Sequence, residues 1–161
     1  DPTEQLELAE FNFIAGRKAK AAAAFEPANQ YFTAGLAILP SNPWIEAYDL
    51  TLTLHIEAAE TAYLTTQFEE AEHLSDLVLQ HTTDVLQKVK VYETQIYFYI
   101  AQNQMLKAIE TSLQGLKVLG ESLSYEPPPD LIIEDLVNLP EMTDPCKLAV
   151  MRIVITMVTP S

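Results

Sequence analysis

Glycine is scarce in this chain of 161 residues, which contains only 4 glycines. Alanine, leucine, glutamate and glutamine are abundant, and runs of β-branched residues are rare before the last predicted helix. Because this composition favours helices over strands, we predict an all-α fold. Hydrophobic residues make up 48% of the chain, which is enough to bury the core of one domain.

Basic residues are also few, with 9 Lys and Arg against 23 Asp and Glu, and the net charge is −14. No Lys or Arg lies between Lys20 and Lys88, a stretch that carries ten carboxylates. Such a surface repels phosphate backbones, so we do not expect nucleic acid as a partner. The acidity either keeps the outer helix faces solvated or attracts a basic partner surface.

The single cysteine, Cys146, excludes an intrachain disulfide and fits a reducing compartment, so we expect a cytoplasmic protein. The chain starts without methionine or a signal peptide, which suggests a segment of something longer. The apolar run at residues 148–158 is too short to cross a bilayer and contains Arg152, so we expect no membrane contact.

Capping residues and prolines divide the chain into helices. Thr3 is the predicted first cap, Asn103 a left-handed helix end, and Gly120 a stop. Residues 127–129 are three prolines, which predict an extended linker. The predicted helices span residues 3–24, 27–40, 43–66, 68–87, 88–103, 104–119, 130–136 and 146–158.

An internal repeat relates the first six helices as three hairpins. Small residues recur where paired helices are expected to cross, and an aromatic residue or Met precedes the first alanine of each second helix. The three aligned sets begin with Gly16, Ala19, Phe25 and Ala28, with Ala59, Ala62, Phe68 and Ala71, and with Ile96, Tyr99, Met105 and Ala108. Alanines 28, 71 and 108 are 43 and 37 residues apart.

These offsets resemble the tetratricopeptide pattern, although the steps exceed that family's repeat of about 34 residues. Ile96 also occupies a position where the family prefers a small residue. The resemblance implies a tetratricopeptide-like α-α superhelix of about three antiparallel helix pairs and a truncated fourth. Residues 1–120 would form the pairs, residues 121–144 a proline-rich linker with a short helix, and residues 145–161 the start of another repeat. An ordinary helical bundle is the alternative.

Three longer phrases resemble the helical region of multidomain sensor kinases of cyanobacteria. They are AYLTTQFEEAEHL at residues 62–74, KVKVYETQIYFYIAQNQMLKAIET at residues 88–111, and IEDLVNLPEMTDPCKLAVMRI at residues 133–153. In that family a serine/threonine kinase-like domain and an AAA-type ATPase domain precede this region, and GAF and histidine kinase domains follow it. The resemblance implies a regulatory segment of a signalling protein.

The residues themselves give little support for catalysis. There is no glycine-rich phosphate loop and no HRD or DFG tripeptide. Glu70 and His73 have the Glu-x-x-His spacing of carboxylate di-iron bundles, but such a site needs a second copy, so a solvated histidine is the simpler interpretation. His55 and His81 lack a nucleophile motif. We therefore expect no enzyme activity, cofactor or metal in this segment.

The tetratricopeptide resemblance also implies a concave groove, lined by the residues one and four positions after the first small residue of each pair. These candidate groove residues are Arg17, Lys20, Glu60, Tyr63, Tyr97 and Ile100. Their mixed chemistry would suit a basic or amphipathic peptide or another domain of the parent chain.

The expected function is thus a non-catalytic scaffold for protein–protein or interdomain contacts in a signal-transduction kinase. A small-molecule-sensing regulatory lobe of the same protein is the alternative. We also expect that the last apolar helix, which lacks a following repeat, can support a homodimer.

Overall fold

The computed structural model describes residues 1–122, 141 and 143–158. Across this part of the chain all regular structure is helical, with eight helices and no strand, so the all-α prediction is confirmed. The helices are α1 (Pro2–Ala21), α2 (Phe25–Ile38), α3 (Pro43–Glu46), α4 (Tyr48–Leu64), α5 (Phe68–His81), α6 (Val85–Ala101), α7 (Met105–Val118) and α8 (Pro145–Val158).

Consecutive helices pack as pairs, α1 with α2, α4 with α5, and α6 with α7. Only three residues separate the two helices of each pair, so the partners run antiparallel. The chain forms two compact units, residues 1–83 and residues 84–161, and each is described by itself. In the first unit α4 packs on α2, and in the second α8 packs on α6 and α7.

The turns inside the three pairs share one backbone conformation. Ala23, Thr66 and Asn103 have φ angles of 57°, 62° and 58°. In the middle pair, the Gln67 amide donates to the Ala62 carbonyl at 2.8 Å, a bond that closes a Schellman motif. The first and third turns have the same bond. The three residues are 43 and 37 positions apart, like the aligned alanines, and the left-handed conformation predicted for Asn103 is confirmed.

The core of the first unit forms where small residues let helices approach closely. Ala28, Ala62 and Ala71 are fully buried, as expected for crossing points. Gly16 faces the ring of Phe32, and a Cβ atom placed on Gly16 would lie 2.5 Å from a ring carbon. The core cluster of this unit consists of Ala9, Ala28, Phe32, Leu54, Ala58, Ala59 and Leu74.

The second unit has its own core, to which α8 contributes Ala149 and Ile153, both fully buried. The other face of α8 carries Leu148, Met151 and Ile155, which are 39%, 44% and 53% exposed. The last helix is therefore partly covered by its own unit, and the homodimer expected through it stays a prediction.

Several predicted boundaries differ from the structure because local hydrogen bonds compete with helical periodicity. The first helix is capped by Asp1, not by Thr3: the Asp1 side chain accepts from the Thr3 amide, and Asp1 and Glu4 form a capping box. The predicted helix at residues 43–66 is interrupted at Ala47, whose φ of −147° separates α3 from α4.

The predicted helix at residues 68–87 ends at His81. Asp84 then caps α6, because its carboxylate accepts from the amides of Leu86 and Gln87. The break expected near Lys88 therefore lies several residues earlier. Asp144 caps α8 by accepting from the Cys146 amide at 2.8 Å, in line with the predicted helix start. The linker prolines and the predicted helix at residues 130–136 lie outside the described residues.

Candidate interaction surface

A charged cluster joins α1 to α4 in the first unit. The Lys20 ammonium on α1 lies 2.7 Å from a carboxylate oxygen of Glu57 and 2.7 Å from one of Glu60, both on α4. The three side chains are partly buried, with exposed fractions of 22%, 16% and 29% for Lys20, Glu57 and Glu60. Two carboxylates at one cation give the cluster a net negative charge and fix the contact between the helices.

Burial and charge act in opposite directions on Lys20. Desolvation is the largest single effect and lowers the pKa of its ammonium, but the hydrogen bonds and negative charges of Glu57 and Glu60 together outweigh it. The net result is a raised pKa, so Lys20 is a permanent cation whose charge is neutralised inside the protein.

Arg17 lies beside this cluster on the exposed side of α1. Its guanidinium carbon is 5.8 Å from the centre of the Phe13 ring, a cation–π distance. Arg17, Lys20, Ala21 and Glu57 line a shallow cleft of about 300 Å³. Since Lys20 is already bound to carboxylates, Arg17 is the basic group of this cleft that is open to a partner.

The other predicted groove residues have different surroundings. Tyr63 is only 2% exposed and belongs to the core of the first unit, so its ring is not available on an open surface. Tyr97 and Ile100 lie on α6 of the second unit. Tyr97 is 59% exposed, whereas Ile100 is half-buried and packs against the core of its unit. Of the predicted groove residues, Arg17 and Tyr97 are thus exposed, whereas Lys20 and Glu60 are partly buried in the ion-pair cluster.

A second cluster, which the sequence did not predict, surrounds Trp44. The indole is stacked on His81 with ring centroids 4.4 Å apart and an interplanar angle of 11°. His55 lies 4.8 Å from the same indole, and Tyr48 makes an edge contact at 6.0 Å. Beside it is a cleft of about 410 Å³, lined by Ser41, Asn42, Pro43, Trp44, Ile45, Tyr48 and His81.

His55 is the buried member of this second cluster. Its Nδ1 lies 2.7 Å from the Thr51 carbonyl oxygen, and because a carbonyl only accepts, Nδ1 carries the proton. Desolvation lowers the pKa of His55, the Thr51 hydrogen bond opposes that effect, and the nearby His81 and His73 lower it further. The net shift is downward, so His55 is neutral at pH 7.

The candidate metal ligands from the sequence, and the single cysteine, all lie at the surface. Glu70 and His73 are both exposed on α5. Cys146 is exposed at the start of α8. Among the described residues, no three His, Cys, Asp or Glu side chains are grouped in a way that could hold a metal ion.

Some of the missed features left a signal in the sequence. Glu57 and Glu60 are three residues apart, so they share one face of a helix, and Lys20 is the last basic residue before a long acidic stretch. Those facts could have suggested the ion-pair cluster. The contact between Trp44 and His81 had no comparable signal, because it joins helices that no periodicity relates.

One curated protein is similar to most of this chain, the hybrid signal transduction histidine kinase G of Dictyostelium discoideum. The two are 26% identical over 144 residues, which covers 84% of this chain and 4% of the kinase. The chain therefore spans only a small part of the relative's length. No protein-family model matches the chain, and no solved structure matches it.

This similarity supports the predicted signal-transduction context. It does not extend to the cyanobacterial resemblance or to the tetratricopeptide assignment. In the part of the chain that the structure describes, no helix is both long and apolar enough to cross a bilayer.

Proposed function

We propose that this chain is a non-catalytic helical-repeat scaffold that mediates protein–protein or interdomain contacts in a multidomain signal-transduction kinase. The observation that carries the proposal is the match to a histidine kinase over 84% of this chain but only 4% of the kinase. A helical segment of that size within a long signalling protein suits a connecting role.

The tetratricopeptide-like organisation is part of the same proposal. It is supported by three helix pairs whose turns have the same Schellman geometry at the spacing of the repeat. Helix pairs of this kind offer shape and surface chemistry to a partner. Arg17 in the first unit and Tyr97 in the second are the exposed groups that a protein partner would contact.

Binding of the neighbouring domains tests this proposal. The chain is titrated by calorimetry with the domains that flank it in its full-length protein, and the same samples are assayed for ATP hydrolysis and autophosphorylation. We expect measurable binding, no turnover by the chain alone, and weaker binding after Arg17→Glu or Tyr97→Ala. Tyr31→Ala, which removes an exposed ring from α2, is the matched control. Turnover by the chain alone, or no binding to either flanking domain, would contradict the proposal.

The second candidate, a small-molecule-sensing regulatory lobe, is supported by the cleft beside Trp44. A cleft of about 410 Å³ is large enough for a small planar ligand, and it offers an indole, a phenol and an imidazole as contacts. Trp44 is the one tryptophan of the chain, so its fluorescence reports on this cleft alone.

A fluorescence screen distinguishes the two candidates. Planar nitrogen heterocycles and aromatic amino acids are added to the chain while Trp44 emission and the melting temperature are followed. A ligand that changes both, and fails to do so in the Tyr48→Ala variant, supports the sensing lobe. If the panel leaves both readouts unchanged, the sensing lobe loses its support and the scaffold stands.

A further inference from the structure

Two glycines in equivalent positions accept an aliphatic side chain from the next helix. In the first unit, a Cβ atom on Gly35 of α2 would lie 3.0 Å from the Leu54 Cδ2 of α4. In the second unit, a Cβ atom on Gly115 of α7 would lie 3.0 Å from the Ile153 Cδ1 of α8. In these two pairs, the helix that follows is received in the same way: an aliphatic side chain, the knob, is seated on a glycine, the notch.

The repeat spacing identifies the equivalent knob on α1. The step between the first two pairs is 43 residues, and the residue 43 positions before Leu54 is Phe11. Leu54 is fully buried, whereas Phe11 is 66% exposed. The α1 helix therefore carries a knob for which the described residues provide no notch.

Phe11 is part of a longer apolar surface. Leu8 and Ile14 lie three residues to either side of it and are 50% and 43% exposed. We call these three residues the outer ridge of α1. Ala9 is fully buried on the opposite side, so α1 is apolar on two faces, unlike a helix with one face in the core and one in water.

The charge at one end of the outer ridge indicates what a partner must offer. In α4, the Thr61 hydroxyl donates to the Asn29 Oδ1 of α2 at 3.1 Å, six residues before the notch at Gly35. The residue of α1 equivalent to Thr61 is Lys18, which is exposed. A cation at that position calls for a carboxylate where α2 has an amide.

We propose that the outer ridge of α1 is the docking site of an amphipathic helix of the α2 type, with a glycine facing Phe11 and, six residues earlier, an Asp or Glu facing Lys18. Phe11 and Lys20 are nine residues apart, which places them on opposite sides of α1. The outer ridge is thus separate from the Lys20 cluster, and the proposal goes beyond the scaffold function described above.

A synthetic helix tests this proposal directly. The probe is a fluorescein-labelled, lactam-constrained peptide of residues 24–41 that carries Asn29→Asp, and its binding to the full chain is followed by fluorescence anisotropy. We expect saturable binding that weakens about tenfold or more in Phe11→Ala, since truncating a central aromatic anchor costs that much. The Lys18→Glu chain should also bind the peptide more weakly, and Tyr31→Ala should bind it normally.

The notch itself is tested with a second peptide in which Gly35 is replaced by Leu, which should not bind because the notch is filled. The proposal is overturned if neither peptide binds, if both bind equally, or if Phe11→Ala binds as tightly as the parent chain. Sedimentation of the parent chain and of Phe11→Ala tests the remaining alternative, that the ridge joins two copies of this chain. If the parent chain forms dimers that Phe11→Ala abolishes, the ridge is a contact between two copies of this chain and the helix partner is refuted. None of these failures affects binding at Arg17 and Tyr97.

Discussion

His81 lies flat against Trp44, with 4.4 Å between the two ring centroids and 11° between the planes. Trp44 belongs to α3 and His81 is the last residue of α5, so the stack ties the short helix to the end of the second pair. Stacked aromatic pairs contribute about 0.5–1.5 kcal/mol beyond the area that they bury.

We therefore predict that His81→Ala lowers the free energy of unfolding by about that amount. The emission of Trp44 should shift to longer wavelength, because the indole gains contact with water. Urea unfolding and steady-state fluorescence measure both effects. His73→Ala, at an exposed position of the same helix, is the control, and a spectrum of His81→Ala identical to that of the parent would contradict the stack.

The buried His55 predicts a pH dependence of stability. The pKa of His55 is lowered in the folded protein. At pH values between this lowered pKa and the ordinary value of 6.5, His55 therefore binds a proton more readily in the unfolded chain than in the folded protein. The stabilisation by neutral His55 is complete above that value and is lost as the pH falls toward the lowered pKa. Urea midpoints at pH 7.5 and pH 5.5 should therefore differ more in the parent than in His55→Gln. Equal differences would show that His55 is not responsible.

Lys20→Met tests the charged cluster between α1 and α4. Without its ammonium, Glu57 and Glu60 are left partly buried beside each other with no cation, which should cost about 1–2 kcal/mol. Lys18→Met, at an exposed position of α1, should change stability by less than about 0.5 kcal/mol. Adding Glu57→Gln to Lys20→Met should recover part of the lost free energy of unfolding. If the effects of the two single changes on that free energy simply add in the double variant, Lys20 and Glu57 do not form an ion pair.

Thr66 has a φ of 62°, a conformation that a β-branched residue rarely adopts. Replacing it with glycine removes the steric cost of about 1–2 kcal/mol but increases the entropy of the unfolded chain. We expect a net stabilisation of about 0.5–1 kcal/mol in thermal or urea unfolding. Thr65→Gly, one residue earlier with φ of −99°, should give no such gain.

Gly16→Ala should destabilise the first unit. The added methyl group would lie 2.5 Å from the fully buried ring of Phe32, so the ring or the helix must shift. Overpacking of this kind costs about 1–3 kcal/mol, and the higher helix propensity of alanine returns about 1 kcal/mol. The melting temperature should fall, and combining Gly16→Ala with Phe32→Leu should cost less than the sum of the two single changes. A melting temperature that rises would show that the contact is loose.

The sequence was sufficient for features that local spacing determines. The small residues of the repeat predicted which positions are buried, and the composition predicted the helical class. Asn103 was predicted to be left-handed because asparagine tolerates that conformation. The sequence did not predict the same conformation at Ala23 and Thr66, because it is imposed there by the hydrogen bonds that close the turn.

The candidate surface was less predictable because it depends on tertiary contacts. Lys20 was predicted to face a groove, but two carboxylates from α4 bind it. Tyr63 was placed in the same groove by its offset alone, and its ring is buried. Neither outcome follows from spacing, since it depends on how closely the two helices approach.

The shared turn geometry also affects how relatives of this chain can be recognised. Alanine, threonine and asparagine occupy the same left-handed position in three successive turns, so the hydrogen bonds that close the turn preserve the bend with three different residues in it. Within each pair the interval from the left-handed residue to the first buried alanine of the second helix is also the same, five residues, from Ala23 to Ala28, from Thr66 to Ala71 and from Asn103 to Ala108. A search that scores the intervals between small residues and turn positions, instead of the identity of each residue, should detect helix pairs of this kind that residue-by-residue comparison overlooks.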